Sequence, residues 1–430
     1  MDFAGEITDP IHRYIRFSQA EKDVIDSAAF QRLRRIRQLA GAHLVYPSAQ
    51  HSRFEHSLGA MHIAGLACES LLAKGHIDNA EVVEELRLAA LLHDIGHGPF
   101  SHLFEEVLET RCGTSHEEMG RRIITKSEIA DALGKNGYSA DHISRLSFGQ
   151  SKVHFLNEII SGGLSADIMD YLPRDSYFTG AEYGKIDYYR LISSYEVAGG
   201  RLAINRSALN SLESMLISRY EMFKAVYFHK TVRSAEVMLL HSMINADEAL
   251  ALTDTSLENY LSITDEATLE RLCALDSNGG GGGMAARLAQ DYRDRRLLKC
   301  VYEKLLHKRD RHKRVDRKAL SALEVEIAQA AGVDRNHVFA DASRASSMPL
   351  TPSKSEMFSV LVADKKGAVR EVPVSEIPLV DSIAGFFDML RVYTTAESRQ
   401  KVERSVKKVL GDQETMEMGA GRLHNNNGSR

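Results

Sequence analysis

The segment LLHDIGHGPFSH, residues 91–102, concentrates residue types that can do chemistry. His93 and Asp94 adjoin in an apolar helical stretch, and His97 and His102 follow around a Gly-Pro break. Burying an imidazole beside a carboxylate costs free energy unless both groups are hydrogen-bonded or bind a cation. The pair is therefore either a satisfied polar pair in the core or part of a metal site. Imidazole nitrogen with carboxylate oxygen suits manganese, iron, cobalt or zinc rather than calcium.

Two other segments offer further metal ligands. His56 lies in HSRFEHSLGAMHIAG, and ADIMDYLPRDSYFTG offers Asp167, Asp170 and Asp175 within an apolar frame. Four protein ligands on a six-coordinate ion leave positions for water and a substrate oxygen. Such an ion lowers the pKa of bound water and neutralises charge that develops on a phosphoryl group. These residue types are therefore compatible with metal-assisted phosphate hydrolysis.

Composition excludes several other classes of protein. The 430 residues are 43% hydrophobic and 26% charged with a net charge of −5, which argues against wholesale coating of nucleic acid. We find no long apolar run and no secretion leader, so the expected location is cytoplasmic, without a membrane. The basic run EKLLHKRDRHKRVDRK, residues 303–318, is either a solvated helix face or a contact for polyphosphate or nucleic acid. The scattered cysteines predict reduced thiols: Cys68, Cys112, Cys273 and Cys300.

The first 275 residues are predicted to form one helical domain. Apolar residues recur at spacings of three and four over residues 86–97 and 207–243, which is the pattern of amphipathic helices. The segment LISSYEVAGGRLAIN, residues 191–205, alternates around two glycines and predicts a β-hairpin inserted among the helices.

The rest of the chain is predicted to form a smaller lobe. The five glycines within residues 276–284 predict a loop, because glycine loses the most backbone entropy on ordering. Residues 285–410 are expected to form an α/β lobe with a hairpin at 357–374 and a helix from about Asp381. Residues 411–430 lack periodicity and are expected to be disordered. The predicted fold class is mainly α: a helical core, a β-hairpin insertion and a smaller α/β C-terminal lobe.

The order His56, His93-Asp94, Asp167 matches the pattern that names the HD superfamily. The segments FQRLRRIRQLAG, RFEHSLG, LLHDIGHGPFSH and MDYLPRDSYFTG, together with a later His-Glu pair, resemble the deoxynucleoside triphosphate triphosphohydrolases of the sterile-alpha-motif and HD-domain type. The resemblance covers roughly residues 5–245, so we expect the catalytic part of that architecture without a sterile-alpha-motif domain. It implies that water bound to a metal attacks the α-phosphate of a dNTP and releases tripolyphosphate and a deoxynucleoside.

The resemblance also implies which residues bind the metal and transfer protons. The implied metal ligands are His56, His93, Asp94 and Asp167, with Asp170 less favoured. His102 matches the general acid, a role that suits an imidazole whose ordinary pKa is about 6.5. His97 and His116 match histidines that contact phosphates or support a second ion, magnesium or manganese. Roles at a helix end or in orienting a ligand are the alternative for these two histidines.

Seven further residues match residues that bind the substrate in this family: Gln38, Leu39, Arg53, Tyr171, Asp175, Arg219 and Tyr227. The two arginines match ligands of the α-phosphate and the terminal phosphate, whose oxygens suit guanidinium donors. Tyr171 and Asp175 match residues at the deoxyribose and its 3′-hydroxyl, Gln38 and Leu39 match residues that line the sugar, and Tyr227 matches a residue near the base. Without the resemblance, the tyrosines would be interpreted as helix core and Arg219 as a surface residue.

Two departures from the family leave the substrate open. Ile168 stands where the mammalian member has a lysine that reaches the triphosphate, and Phe228 replaces a glutamine near the base. A phosphatase or phosphodiesterase acting on nucleotide monophosphates, cyclic nucleotides or nucleic acid is the second hypothesis. The third is a non-catalytic nucleotide or nucleic-acid sensor. An intact set of metal ligands and a general acid counts against the sensor.

Regulation is also open at this stage. Asp26, Gln31 and Arg34 match residues that bind an activating guanine nucleotide between subunits, whereas a family lysine and asparagine are Gly5 and Thr8 here. One interpretation is activation by GTP or dNTP with assembly into a dimer or tetramer. The other is that DSAAFQRLR is simply a capped amphipathic helix.

Overall fold

The computed structural model describes residues 2–276, 280–308, 317–346, 359–363, 368–373 and 386–411. The chain divides into two compact units. The first comprises Met1–Leu297 with Ser346–Gly385, and the second comprises Leu298–Ala345 with Phe386–Arg430. The first unit thus extends past the expected boundary at residue 275 and takes up a later segment of the chain.

The first unit is dominated by helices, which confirms the prediction of a mainly α fold. Its helices are α1 (Gln19–Ile25), α2 (Ala28–Gln31), α3 (Arg53–Ala73), α4 (Glu81–Leu92), α5 (His102–Cys112), α6 (His116–Lys126), α7 (Glu128–Lys135), α8 (Ala140–Ser147), α9 (His154–Ile160), α10 (Ala166–Thr179), α11 (Tyr188–Ser193), α12 (Leu209–Met222), α13 (Lys230–Leu250), α14 (Leu257–Ser262), α15 (Asp265–Cys273) and α16 (Gly280–Arg293). None of the helices in the described ranges is long and apolar enough to cross a membrane.

Local sequence signals start and stop the helices that matter for the site. Helix α3 begins with a capping box, in which the side chain of Glu55 reaches back to the amide of Ser52 at 2.9 Å. Helix α10 begins at the N-cap Ser165 and ends at Gly180, whose φ of 73° allows the left-handed C-cap. Helix α4 ends at Leu92, so His93 follows the helix as its C-cap residue. These caps place the candidate site where three helix ends meet.

Both hairpins predicted from the sequence are present. Strands β3 (Tyr195–Ala198) and β4 (Arg201–Asn205) pair antiparallel across two glycines with φ of 57° and 78°, as a tight primed turn requires. Strands β7 (Ser359–Ala363) and β8 (Val369–Pro373) form the second hairpin, although residues 364–367 at its turn lie outside the described residues. Strand β7 also pairs parallel with β4, so this hairpin extends the sheet of the first unit rather than the C-terminal lobe. A separate antiparallel pair, β1 (Gly5–Asp9) and β2 (Arg13–Phe17), opens the chain.

The second unit is a small α/β structure. Strands β5 (Lys299–Lys308), β6 (Val338–Ser346) and β9 (Phe386–Thr394) form a sheet in the order β5-β9-β6, accompanied by α17 (Arg317–Ala331) and α18 (Arg399–Leu410). A helix was expected from about Asp381, but residues 386–394 form a strand and the helix begins at Arg399. The strand lies in the middle of the sheet, and a central strand is apolar enough to lose the alternation that distinguishes it from a helix.

The structure also differs from the predicted glycine loop. Helix α16 begins at Gly280, so several of the glycines form its first turn, while residues 277–279 lie outside the described residues. The first backbone amides of any helix lack a partner within the helix, so glycines there sacrifice few hydrogen bonds. The later turns are anchored by buried side chains, among them Ala285, Ala289 and Tyr292. Tertiary packing against α13 therefore outweighs the low helix propensity of glycine. The tail predicted to be disordered lies outside the described residues from 412 onward.

Candidate active site

The four predicted metal ligands converge on one point. His56 is on α3, His93 and Asp94 directly follow α4, and Asp167 is in the first turn of α10. Nε2 of His56 lies 3.6 Å from Oδ2 of Asp94 and 3.2 Å from Oδ1 of Asp167. Nε2 of His93 lies 3.4 Å from Oδ1 of Asp94 and 4.0 Å from Oδ1 of Asp167. Ligand atoms of His56, His93 and Asp94 all lie within 4.8 Å of one another, which is close enough to share one ion.

The two imidazoles are oriented with one nitrogen towards this point. Nδ1 of His56 donates to Asp170 at 2.8 Å, and Nδ1 of His93 donates to the carbonyl of Ala90 at 2.7 Å. Their Nε2 atoms are buried and have no hydrogen-bond partner among the described residues. A carbonyl can only accept, so the proton of His93 resides on Nδ1 and its Nε2 lone pair is available to a metal ion. The donor set therefore fits a divalent transition-metal ion.

The charges around this point favour a cation. Burial lowers the pKa of the His56 imidazole, but the adjacent carboxylates of Asp167 and Asp170 outweigh burial and raise that pKa to about 10. Burial raises the pKa of the Asp94 carboxyl, yet Arg53 and two neighbouring histidines hold that pKa well below its usual range. Asp94 is therefore ionised, and a positive charge is stabilised where the ligand atoms meet.

The carboxylate of Asp170 bonds to a predicted metal ligand, His56, and we expect it to orient that imidazole rather than bind the ion. Its buried carboxylate accepts hydrogen bonds from His12 at 2.7 Å, from His56 at 2.8 Å, and from Nε and Nη2 of Arg174 at 2.8 Å each. A Cβ on Gly59 of α3 would lie 1.8 Å from Oδ1 of Asp170, so only glycine leaves room for this carboxylate. Sequence reasoning missed His12 and Arg174, although the spacing of four residues between Asp170 and Arg174 on α10 indicates an ion pair.

We expect Asp170→Asn to weaken metal binding by about 10- to 100-fold, because the carboxamide cannot accept every hydrogen bond that fixes His56. Isothermal titration with Mn²⁺ measures this effect, and the melting temperature separates it from unfolding. The matched control is Asp141→Asn, which changes an exposed aspartate in the first turn of α8 and should leave the affinity unchanged. Equal affinities of the two folded variants would contradict the orienting role.

A cluster of histidines lies beside the metal ligands. The rings of His97 and His116 stack at 4.1 Å, and Nε2 of His97 lies 3.4 Å from Oδ1 of Asp94. Glu105 accepts hydrogen bonds from Nδ1 of His116 and, at 3.3 Å, from Nδ1 of His102. These two bonds outweigh burial and hold the pKa of Glu105 far below its usual range. The side chain of His102 is 74% exposed, so it faces solvent.

Glu105 was missed from the sequence, although its position three residues after His102 on α5 is the available signal. Burial, together with the charges of Arg53 and His116, lowers the pKa of His97 well below its usual range, so this imidazole is neutral. His97 is therefore a neutral imidazole, whereas the neighbouring His116 donates a hydrogen bond to a carboxylate.

A strained turn connects the metal ligands to His102. Phe100 and Ser101 both have positive φ, 59° and 55°, a region that costs residues with side chains about 1–3 kcal/mol each. Nε of Arg53 donates to the Ser101 hydroxyl at 2.7 Å, and the Arg53 guanidinium also contacts Asp94. Arg53, the predicted α-phosphate ligand, is thus buried directly beside the candidate metal ligand Asp94.

Four of the predicted substrate residues form a second cluster. Asp175 accepts from Tyr227 OH and from Nε2 of His51, each at 2.7 Å. Tyr171 OH accepts from Nε of Arg219 at 3.3 Å, and the rings of Tyr171 and Tyr227 are 6.4 Å apart. A π-helical turn at Phe223–Tyr227, where one continuous helical pattern was expected, carries Tyr227. Such turns are frequent at functional sites. His51 is a member of this cluster that sequence reasoning missed.

Two predicted sugar-lining residues, Gln38 and Leu39, and the two departures from the family remain to be described. The backbone amide of Gln38 donates to the carbonyl of His51 at 3.0 Å. The side-chain Oε1 of Gln38 is buried and has no hydrogen-bond partner within the described ranges. Leu39 packs in a small apolar cluster. Both departures from the family are buried apolar side chains: Ile168 is 6% exposed and Phe228 is 7% exposed. Neither side chain can therefore offer a polar group to a substrate.

The predicted regulatory residues lie on the N-terminal helices. Asp26 bonds to Lys22 at the end of α1, and Nε of Arg34 donates to Gln31 at 2.8 Å. Arg34 also lies over the ring of Phe54, 3.5 Å from its centroid. The segment DSAAFQRLR forms the short helix α2 and a 3₁₀ turn rather than one amphipathic helix. Nucleotide binding by these three residues stays a prediction. Residues 309–316 of the basic run lie outside the described residues, and residues 303–308 belong to strand β5 rather than to the helix that was one interpretation of this run.

Comparisons with known proteins agree with this arrangement. The HD domain family matches residues 53–174 and the HD associated region matches residues 186–419. The Uncharacterized protein MJ1154 of Methanocaldococcus jannaschii is 40% identical over 286 residues, which are 62% of this chain and 57% of that protein. The Deoxynucleoside triphosphate triphosphohydrolase SAMHD1 homolog of Dictyostelium discoideum is 32% identical over 262 residues, 58% of this chain and 50% of that protein.

A solved structure is similar over nearly the whole chain. The crystal structure of a phosphohydrolase from Bacteroides thetaiotaomicron superimposes with a TM-score of 0.73 at 25% identity, covering 91% of this chain and 99% of that one. The two family matches cover both the helices that carry the candidate metal ligands and most of the chain that follows them. The chain therefore belongs to the HD-domain family and carries an HD-associated region.

Proposed function

We propose that this chain is a metal-dependent phosphohydrolase that cleaves dNTPs to a deoxynucleoside and tripolyphosphate. The observation that carries the proposal is the convergence of His56, His93, Asp94 and Asp167 around two buried Nε2 atoms that have no other partner in the described chain. The similarity to a Dictyostelium deoxynucleoside triphosphate triphosphohydrolase homolog and to a Bacteroides phosphohydrolase supports the reaction class.

The four converging side chains would hold iron, manganese, cobalt or zinc, the ions that suit mixed imidazole and carboxylate ligands. Such an ion, when bound, supplies a water of lowered pKa and neutralises charge on the phosphoryl oxygens. Asp170 fixes the ring of His56, and the Ala90 carbonyl fixes the ring of His93. The stacked His97 and His116 are the candidates for supporting a second ion, magnesium or manganese.

Side chains around the metal site provide for the phosphates and the leaving group. Arg53 contacts Asp94 and can direct its guanidinium donors to the α-phosphate oxygens. Arg219, which donates to Tyr171, would serve the terminal phosphate. The carboxylate of Glu105 holds Nδ1 of His102, which leaves Nε2 of this exposed imidazole to protonate the leaving 5′-oxygen.

The second cluster is suited to a deoxyribose. His51 and Tyr227 each occupy one oxygen of Asp175, which fixes the carboxylate so that a 3′-hydroxyl can donate to a remaining lone pair. As in the family that the sequence resembles, Tyr171 would pack where a 2′-hydroxyl would lie and so favour a deoxyribose, and Gln38 and Leu39 would line the sugar. In this arrangement Tyr227 contributes through its hydroxyl to the sugar site as well as lying near the base.

A substrate panel tests the proposal. The purified chain is incubated with dNTPs, NTPs, nucleoside monophosphates, cyclic nucleotides and single-stranded DNA in Mn²⁺ or Mg²⁺, and chromatography separates tripolyphosphate from phosphate. We expect tripolyphosphate from dNTPs only. The buried Ile168 carries no charge that could contact a triphosphate, which is the reason to include other phosphate esters in the panel. Phosphate release from monophosphates alone would favour the phosphatase hypothesis. Binding of dNTPs without any turnover would favour a nucleotide sensor.

A further inference from the structure

Three side chains from outside the HD motif hold the backbone of its loop. Tyr260 OH donates to the carbonyl of Gly96 at 2.6 Å, and Nη2 of Arg32 donates to the carbonyl of His97 at 2.9 Å. Oδ1 of Asp265 accepts from the amide of Phe100 at 2.7 Å. Tyr260 and Asp265 lie on α14 and α15, beyond the HD match and within the HD-associated region.

The Asp265 carboxylate joins this loop to a second segment. Its side chain is buried, with 1% of the residue exposed, and Oδ2 accepts from the amide of Arg37 at 3.0 Å. The carbonyl of Arg37 in turn accepts from the Ser101 hydroxyl at 2.9 Å. Burial raises the pKa of Asp265 to about 6, despite its bonds to the amides of Arg37 and Phe100. Burying a carboxylate at this depth costs free energy, which the bonds from the two backbone amides offset in part.

The bonds of Asp265 fall on the strained part of the loop. Phe100 and Ser101 have φ of 59° and 55°, and Ser101 is the N-cap residue of α5 but makes no side-chain capping bond there. His102 is the first residue of α5. A turn in this backbone region relaxes to negative φ unless surrounding groups hold it, and relaxation would redirect the start of α5.

We propose that Asp265 is a positioning residue: by holding the strained Phe100–Ser101 turn, it sets the placement of His102 and of the Arg53 guanidinium that bonds to Ser101. The HD-associated region thereby completes the geometry of a site whose metal ligands all lie elsewhere. The part of this inference that concerns proton donation rests on the proposed hydrolase function.

Asp265→Asn tests the inference, because an amide keeps the shape of the side chain but can accept only one of the two backbone bonds. We expect faster hydrogen exchange in the peptide spanning residues 95–103 and an unchanged metal content. We expect kcat to fall by on the order of 10²-fold with KM almost unchanged, the effect of a small misplacement of catalytic groups. The matched control is Glu266→Gln, whose half-exposed side chain binds the same Arg37 without touching the loop.

Two results would overturn the inference: unchanged exchange and kcat in folded Asp265→Asn, or a fall in kcat that lost metal fully accounts for. If the variant does not fold, exchange in the wild-type chain decides. Protection of the Phe100 amide from exchange supports the proposal that Asp265 holds this turn, and exchange of that amide as fast as in an open loop refutes it. The exchange measurements need no substrate, so they remain decisive even if the substrate panel shows no turnover and the proposed function fails.

Discussion

His93→Ala should lose both the bound metal and the turnover of every phosphate substrate. The substitution removes one of two imidazoles whose buried Nε2 atoms face the other ligands without another partner in the described residues. Activity should fall by on the order of 10³-fold or more, because the attacking water keeps its high ordinary pKa when no ion lowers it. Metal per chain is measured by inductively coupled plasma mass spectrometry, and turnover is measured on the same samples.

The control is His142→Ala, which removes a histidine whose 43% exposed side chain bonds to Glu85 away from the site. That variant should keep its metal and its activity. Asp167→Asn is an intermediate case, because Asp167 is 36% exposed and contributes one of several carboxylate oxygens. We expect it to retain the fold and to bind less metal. Full metal content and full activity in His93→Ala would refute the assignment of the metal site.

The second large effect is expected from adding a single methyl group at Gly59. A Cβ there would lie 1.8 Å from Oδ1 of Asp170 and 2.6 Å from Nη2 of Arg174. Neither group can move easily, because Arg174 is also held by Asp9 at 2.8 Å and all three side chains are buried. We expect Gly59→Ala to lower the free energy of unfolding by about 3 kcal/mol, through overpacking and broken ion pairs. Urea unfolding followed by circular dichroism measures the loss.

Gly134→Ala is the matched control for this substitution. Gly134 also lies in a helix, α7, but an added Cβ would meet no atom within 4 Å. Alanine has the higher helix propensity, so the control should gain about 0.5–1 kcal/mol of stability. A loss of similar size in both variants would show that the Asp170 group is not the reason for the glycine.

The main helices and the convergence of the four candidate ligands could be predicted because their signals are local or lie in recognisable motifs, whereas metal binding by these four residues stays a prediction. His93 and Asp94 are neighbours in the chain, and the helices carry their periodicity and capping residues within short segments. The errors have the opposite cause. Helix α16 begins within the glycines because α13 covers it, and the segment after 385 is a strand because it lies inside a sheet.

The sequence by itself determined which residues bring chemistry to the site: imidazoles, carboxylates and arginines in an order that resembles one family. Only the tertiary structure decided how these groups are held. Four donors bond to Asp170, so we expect it to orient His56 rather than bind the ion, and Asp265 reaches Phe100 across 165 positions of the chain. Hydrogen bonds are short-ranged and directional, so residues far apart in sequence become partners only after the helices have packed.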